Sequence, residues 1–163
     1  VRKNMKRRSL IISSLLVTLV FACAAMAQKS EPPANPAYDG ELAKRLGADD
    51  RGMRQYVMCF LKTGPLKVTD KAKVDELMKG HFGMITRLAA AGKLIAAGPF
   101  VEGGEFRGIY LFDVKTIEEA KQLTETDPSI KEGYFKVEFI KWYGSAAMME
   151  VNGIHKKIAK ISL

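Results

Sequence analysis

His81 is the residue of this sequence whose type and position best suit acid/base chemistry. An imidazole titrates near neutral pH, so it can accept a proton from a substrate and donate one in turn. The residue lies within an apolar stripe of helical spacing, which places it against the core. Two interpretations follow: a histidine that titrates at the border of a cavity between helix and sheet, or a core histidine hydrogen-bonded to a backbone carbonyl. The stripe consists of Val74, Leu77, Met78, His81, Ile85 and Leu88.

Small residues surround this histidine in the sequence. Gly80 and Gly83 flank it, although a glycine inside a helix costs roughly 0.5–1 kcal/mol relative to alanine. They indicate either the close approach of another group or simple packing against a neighbouring strand. The segment AAGKLIAAGPF, Ala90–Phe100, is also rich in small residues and is expected to leave room above a sheet. The residues predicted to line that pocket are Gly98, Pro99, Arg107 and Tyr110, although Arg107, Tyr110 and Trp142 suit a surface or core position equally well.

The order of strand and helix patterns around this segment is β-α-β-β-α-β. Four strands are indicated by branched and aromatic residues, and two helices by capping signals and helical spacing. This order predicts an α+β fold of ferredoxin-like type: a four-stranded antiparallel sheet with two helices on one face. The strands are predicted at Arg54–Lys62, Lys93–Gly98, Phe106–Val114 and Tyr134–Gly144, with one helix from Thr69 or Asp70 to about Ala91 and the second beginning at Thr116.

The first and third strands carry large apolar residues on both faces. An antiparallel sheet with one face in water would instead alternate between apolar and polar residues. We therefore expect the face without helices to be covered, most simply by a second copy in a homodimer. The C-terminal segment SAAMMEVNGIHKKIAKISL, Ser145–Leu163, is additional to this fold. Its methionines are expected to cap a sheet edge or to extend the dimer contact, and His155 within it is expected to be solvated.

The first 27 residues have the organisation of a secretory signal peptide. MKRRS from Met5 is a short basic head, LIISSLLVTLVFACAAM is an apolar stretch, and Ala25–Ala27 is an A-x-A cleavage site before Gln28. A transmembrane anchor and lipidation of Cys23 are the alternatives. We expect a periplasmic or secreted protein that meets a membrane only if Cys23 is lipidated. The predicted organisation is a signal peptide at 1–27, a linker and short helix at 28–52, the folded domain at 53–144 and a C-terminal extension at 145–163.

The formal net charge of +8 raises the question of a nucleic-acid partner. Five of the 26 Lys and Arg residues lie in the first 27 positions, which contain no acidic residue. Without that segment, 21 basic residues oppose 18 acidic ones, and the net charge is +3. The remainder contains no basic run, so no nucleic-acid partner is predicted.

Several other chemistries lack their motifs in this sequence. With two histidines, and without HExxH or CxxC spacing, no metal site is expected. There is no GxGxxG or GxxxxGK[ST] phosphate loop and no GxSxG nucleophile motif, so no cofactor is expected. Once the signal peptide is removed, Cys59 is the single cysteine, and it is expected to be a small buried hydrophobic residue.

One long motif resembles a known family. The pattern H-x-x-x-x-x-R-L-x-x-x-G-K-L-x-x-A-G-P-F from His81 to Phe100 is followed by RGIYLFDVKTIEEA and then DPSIKEG. This succession resembles the YCII-related domain family, which includes proteins once grouped under the label DGPF. The resemblance extends from about Met53 to Tyr143. The signal peptide, the N-terminal helix and the C-terminal extension depart from the usual member.

The resemblance implies a ferredoxin-like dimer and an enzyme with a characteristic histidine and aspartate. These are His81 and Asp127, the latter within TDPSI. Some relatives are dehydrochlorinases of chlorinated hydroxyquinones, and related ferredoxin-like dimers include lactone isomerases and monooxygenases. A carboxylate beside an imidazole fixes the tautomer of the ring and raises the basicity of its other nitrogen. Such a pair suits isomerisation, elimination or addition by general acid/base catalysis.

Asp127 also has a purely structural interpretation, because Asp-Pro commonly opens a turn or caps a helix. Two functions therefore remain. The first is a small cofactor-independent enzyme of the cell envelope, of lyase or isomerase type, in which His81 and Asp127 act on a small organic molecule. The second is a non-catalytic dimer that binds a small ligand or a partner, in which His81 only shapes a pocket or the core.

Overall fold

The computed structural model of the protein describes residues 35–161. The signal peptide predicted at 1–27 and the first part of the predicted linker lie outside the described residues. All helices and strands among these described residues lie in the unit that begins at Asp39.

Four strands form a single antiparallel sheet in the order β2-β3-β1-β4. The long strand β1 is central and pairs with both β3 and β4, whereas β2 lies at one edge beside β3. The predicted α+β class with a four-stranded antiparallel sheet is therefore confirmed. The strands are β1 at Met53–Thr63, β2 at Leu94–Pro99, β3 at Phe106–Phe112 and β4 at Phe135–Ser145.

Helices connect these strands and begin at the predicted caps. Asp70 accepts a hydrogen bond from the Ala72 backbone N–H at 3.0 Å, and Thr116 accepts one from the Glu119 N–H at 3.1 Å. Within residues 35–161, no helix is both long enough and apolar enough to cross a bilayer. The helices are α1 at Gly40–Leu46, α2 at Lys71–Ala90, α3 at Ile117–Thr124, α4 at Pro128–Lys131 and α5 at Val151–Ile158, the last preceded by a 3-10 turn at Ala146–Glu150.

The main core lies between the sheet and α2. Alternate residues of β1 face the helix, because successive side chains of a strand point to opposite faces. Val57, Cys59 and Leu61 on that face are buried against a cluster that includes Met84 and Leu88 of α2. Of the predicted apolar stripe, Leu77, His81 and Leu88 are buried and the other three members are half-buried. Met84, which the predicted stripe did not include, is buried beside them.

The opposite face of the sheet is covered in part by the chain itself. Tyr56, Ile95 and Leu111 are buried there, and Met148 and Met149 of the C-terminal extension pack against them. These methionines therefore pack on a face of the chain's own sheet, where they were predicted to cap a sheet edge or to extend a dimer contact. The rest of this face is more open: Met58, Phe60 and Ile109 are half-buried, and Ile140 is 47% exposed. We call these four residues the open sheet face.

Candidate functional site

His81 and Asp127 form a buried hydrogen-bonded pair between α2 and the start of α4. The distance from His81 Nδ1 to Asp127 Oδ2 is 2.7 Å. The histidine side chain is 8% exposed, and the aspartate side chain is fully buried. The two residues are 46 positions apart in the sequence, and the packing of α4 on α2 brings them together.

Asp127 is at the same time the N-cap of α4. Its Oδ1 accepts hydrogen bonds from the backbone N–H of Ser129 at 2.9 Å and from the Ser129 hydroxyl at 2.6 Å. Burial alone would raise the pKa of Asp127, but the hydrogen bonds from His81 and Ser129 outweigh it and hold this pKa below its ordinary value. Asp127 is therefore an ionised carboxylate, an acceptor on both oxygens.

The charge on Asp127 determines which ring nitrogen of His81 carries hydrogen. A carboxylate only accepts, so Nδ1 must donate to it; whenever the ring is neutral, the lone pair is then on Nε2. The Tyr110 hydroxyl oxygen lies 3.1 Å from Nδ1 and 3.2 Å from Nε2. The hydroxyl is therefore within hydrogen-bond distance of both ring nitrogens.

Tyr110 is a neutral donor in this site. Burial raises the pKa of its phenol far above the ordinary value, and the nearby Asp127 charge raises it further. Its hydroxyl is also 3.4 Å from Asp127 Oδ2, and the Ser129 hydroxyl lies 3.2 Å from His81 Nδ1. His81, Asp127, Tyr110 and Ser129 thus form one buried polar group, which we call the His81 cluster.

Gly80 permits the close approach of α4 that completes this cluster. A Cβ atom added at Gly80 would lie 2.2 Å from Pro128 Cγ and 2.9 Å from Pro128 Cδ. Pro128 is the residue directly after Asp127, so the missing side chain at Gly80 allows the carboxylate to reach the next residue of the helix, His81. The predicted close approach is therefore present at Gly80. At Gly83, by contrast, an added Cβ would meet nothing within 4 Å.

Residues 55–143 match the YCII-related domain. This match covers more than half of the chain. The chain belongs to the YCII-related domain family. The matched segment contains all four residues of the His81 cluster, whereas α5 lies outside it. The chain matches none of the curated proteins with which it was compared.

Three aromatic rings surround the imidazole of this YCII-related domain. The ring centroids of Phe135, Phe82 and Tyr110 lie 5.3, 5.6 and 5.8 Å from that of His81. Phe135 and Tyr110 are buried, whereas Phe82 is 53% exposed. Phe82 is therefore the aromatic neighbour of His81 that reaches the surface.

The other predicted pocket residues lie away from the cluster. Gly98 and Pro99 at the end of β2, and Arg107 on β3, are exposed on the β2–β3 hairpin. Among the hydrogen bonds of residues 35–161, none joins these residues to His81 or Asp127. Trp142 lies on the opposite face of the sheet, where its ring centroid is 5.7 Å from that of Tyr56. Of the residues predicted to line the pocket, only Tyr110 touches the histidine.

Sequence reasoning missed Ser129, although a signal for it was present. In Asp-Pro-Ser, proline suits the first position of a helix whose N-cap is aspartate. The N-cap side chain then bonds the backbone N–H of the second or third helical residue. The three residues by themselves therefore predict that Ser129 lies beside the carboxylate.

A cavity of about 370 Å³ lies beside the small residues Ala96 and Ala97 of β2, and none of the residues predicted to line a pocket there lines it. Its walls come from α2, β2 and α5, and the α2 wall begins at Ile85, one turn beyond His81. His81 does not line this cavity, because its imidazole points to Asp127 and Tyr110. We call this space the β2 cavity.

Cys59 lies near the His81 cluster and is inert. Burial, and to a smaller extent the Asp127 charge, raises the pKa of its thiol to about 12. A thiol with this pKa stays protonated at neutral pH and is a poor nucleophile. Within residues 35–161, no group of three or more His, Cys, Asp or Glu side chains is arranged to hold a metal ion.

Proposed function

We propose that this YCII-related protein is a cofactor-independent enzyme that performs acid/base chemistry on a small organic molecule, with His81 as the proton-transfer group and Asp127 as its positioning residue. The observation that carries the proposal is the 2.7 Å contact between His81 Nδ1 and the buried Asp127 carboxylate. This contact leaves Nε2 as a proton acceptor. A general base needs such a nitrogen in a fixed tautomer.

The reaction balances without any cofactor. Nε2 takes a proton from a substrate carbon next to a carbonyl, and the electron pair of the broken C–H bond moves onto the carbonyl oxygen. In an isomerisation the imidazolium then returns the proton to a different carbon. In an elimination the electron pair expels a leaving group such as chloride, and the imidazolium releases its proton to water. The neutral Tyr110 phenol, whose oxygen lies 3.2 Å from Nε2, is suited to donate a hydrogen bond to the oxygen that gains charge.

A panel of chlorinated hydroxyquinones and unsaturated lactones tests this chemistry. Solvent deuterium entering the substrate, followed by NMR, reports proton exchange, and chloride release reports elimination. We expect turnover with wild-type protein and a loss of 10²-fold or more in His81→Gln, the usual contribution of a general acid or base. The control is Glu125→Gln, an exposed acid two residues before Asp127. Equal exchange by wild type and His81→Gln would refute the assignment.

The second candidate, a non-catalytic dimer that binds a small ligand or a partner, also has an observation in its favour. Among the described residues, every buried side-chain nitrogen and oxygen has a hydrogen-bond partner. A fully paired histidine that is 8% exposed is what a structural core residue requires.

Stability measurements separate the two candidates. His81→Leu alone would leave the Asp127 charge buried without its partner, so the informative variant combines His81→Leu with Asp127→Asn. Natural active sites are held at a cost in stability. If the double variant is more stable than wild type, the enzyme is supported. If it is less stable by about 2 kcal/mol or more, the pair contributes to folding and the structural role is favoured.

We also infer that the fold is of ferredoxin-like type and that the protein is a homodimer. The element order and the strand order β2-β3-β1-β4 support the first inference. The open sheet face supports the second, because apolar residues half exposed on one patch indicate an interaction surface. Light scattering at micromolar concentration should give twice the monomer mass for wild type and the monomer mass for Ile140→Asp. A monomeric wild type would exclude the dimer.

We propose export to the periplasm or outside the cell, on the basis of the basic head, apolar stretch and A-x-A site of residues 1–27. N-terminal sequencing of the protein recovered from the periplasm should begin at Gln28. A lipid-modified chain beginning at Cys23 would indicate a lipoprotein. An intact N-terminus held in the membrane would indicate an anchor instead.

A further inference from the structure

The β2 cavity is separate from the His81 cluster and is built partly outside the family domain. Its volume of about 370 Å³ falls in the range of small-molecule sites. One wall is the α2 segment that contains Ile85 and Ala89, and the second is β2 from Leu94 to Ala97. The third wall is α5, which follows the matched segment 55–143.

The space exists because small residues line it on several sides. Ala89 lies on the helix wall, and Ala96 and Ala97 lie on the strand wall. The third wall is held in place by Asn152, whose Nδ2 donates to the Leu94 backbone carbonyl at 2.7 Å, and by Val151, which packs against the cluster on the opposite sheet face. The C-terminal extension thus encloses the edge of β2 with a gap left between them.

Polar groups in the lining divide into two kinds. Thr86 and Asn152 already bond to backbone carbonyls, Thr86 Oγ1 to the Phe82 oxygen at 2.9 Å. The other two polar residues of the lining are His155 and Lys156 on α5. No acidic residue lines the cavity, and among residues 35–161 no carboxylate lies within ion-pair distance of Lys156.

We propose that the β2 cavity binds a monomeric amphiphile of fatty-acid type, with its apolar chain between α2 and β2 and its carboxylate at Lys156 and His155. Apolar walls favour the chain through burial of its surface. A lysine with no internal partner favours one anionic head over a neutral or cationic one. The single charged residue of the lining is positive, so the site should select amphiphiles by the charge of their head group.

Calorimetry with the full chain tests the site, and decanoate, decanol and decyltrimethylammonium are the probes. Decanoate should bind more tightly than decanol, and decyltrimethylammonium should bind least tightly. Lys156→Gln should weaken decanoate binding by about two- to fivefold, the value of an exposed ion pair, and leave decanol binding unchanged. Lys157→Gln is the matched control, because Lys157 is the adjacent exposed lysine on α5 and does not line the cavity.

Two variants that fill the space test its location. Ala97→Phe is on the exposed part of β2, and Ala89→Phe is on the opposing helix, so at least one should fold with native circular dichroism. Either folded variant should lose about tenfold or more in affinity for both decanoate and decanol. Unchanged binding in these variants, or an equal effect of Lys156→Gln and Lys157→Gln, would overturn the proposal.

A lipid surface also offers apolar chains with anionic head groups, so it is the alternative ligand to a monomeric amphiphile. Ile154 and Ile158 are exposed on α5 beside its lysines, so sedimentation with anionic phospholipid vesicles provides the distinguishing arm. Binding to vesicles without binding of monomeric decanoate would refute the cavity site. Decanoate binding that the filling variants abolish would establish it.

Discussion

Gly80→Ala and Gly83→Ala are two identical substitutions three residues apart in α2, and they should have opposite effects on stability. Alanine is favoured over glycine inside a helix by about 0.8–1.0 kcal/mol. At Gly83 the new methyl group meets nothing within 4 Å, so the variant should gain most of this amount. At Gly80 the new Cβ would lie 2.2 Å from Pro128 Cγ, a separation that requires Pro128 to move.

The magnitude at Gly80 follows from the balance of two terms. An added methylene-sized group in a packed region typically costs about 1–3 kcal/mol, and the helical preference of alanine returns about 1 kcal/mol. The net effect is a loss of up to about 2 kcal/mol. Because the preference term is common to both variants, the difference between them isolates the steric cost and should be about 1–3 kcal/mol.

Urea unfolding followed by circular dichroism gives both free energies. A second readout is the ¹⁵N shift of the His81 ring, which reports the tautomer. Moving Pro128 also moves Asp127, so Gly80→Ala should disturb the tautomer, and Gly83→Ala should leave it as in wild type. If the two variants are equally stabilised, Pro128 does not require a glycine at position 80, and the explanation given for the approach of α4 fails.

Three further predictions concern groups around the same site. The pKa of Asp127 is lower in the folded than in the unfolded chain. The stabilisation that this carboxylate contributes is therefore complete above about pH 4 and is lost as pH falls through the folded-state pKa. Asp127→Asn should flatten the acid limb of the plot of unfolding free energy against pH, and an unaltered limb would contradict this reasoning. Tyr110→Phe should cost about 1 kcal/mol in urea unfolding for the lost hydroxyl contacts, whereas a neutral result would mean that they contribute nothing. Cys59 should not react with a maleimide at pH 8 until urea unfolds the protein, because its thiol pKa is about 12. Labelling of the Cys59 peptide in the native protein, detected by mass spectrometry, would count against the burial of this thiol.

Much of the fold could be predicted because its signals are local. Asp70 and Thr116 cap the helices predicted after them, and Gly92 beyond α2 has a left-handed φ of 69°, the conformation typical of glycine at a helix end. The observed strand bounds differ from the predicted ones by a residue or two, since pairing in the sheet extends β1 to Met53–Thr63. Such differences are expected where the partner strand determines the end of a strand.

The site was harder to predict because its contacts join distant parts of the chain. Asp127 had two interpretations, as a helix cap and as the partner of His81, and the structure shows both at once. A carboxylate has two oxygens, and Oδ1 serves Ser129 while Oδ2 serves the imidazole. Periodicity placed His81 on the buried stripe but did not indicate which group it meets there. The expected neighbour, a cavity, lies one turn further along α2.

The sheet face opposite the helices shows a more general limit of pattern analysis. Apolar residues on both faces of β1 indicate that each face is covered, but they do not indicate by what. Here Met148 and Met149 of the chain's own extension cover Tyr56, while Ile140 remains 47% exposed. Since the extension lies beyond the matched segment 55–143, a YCII-related domain without it would expose Tyr56 and its neighbours as well. Deleting residues 146–163 should therefore enlarge the exposed apolar surface. If the open sheet face is the dimer contact, the deletion should also extend that contact. A deletion variant that stays monomeric while wild type dimerises would place the dimer contact in the extension itself.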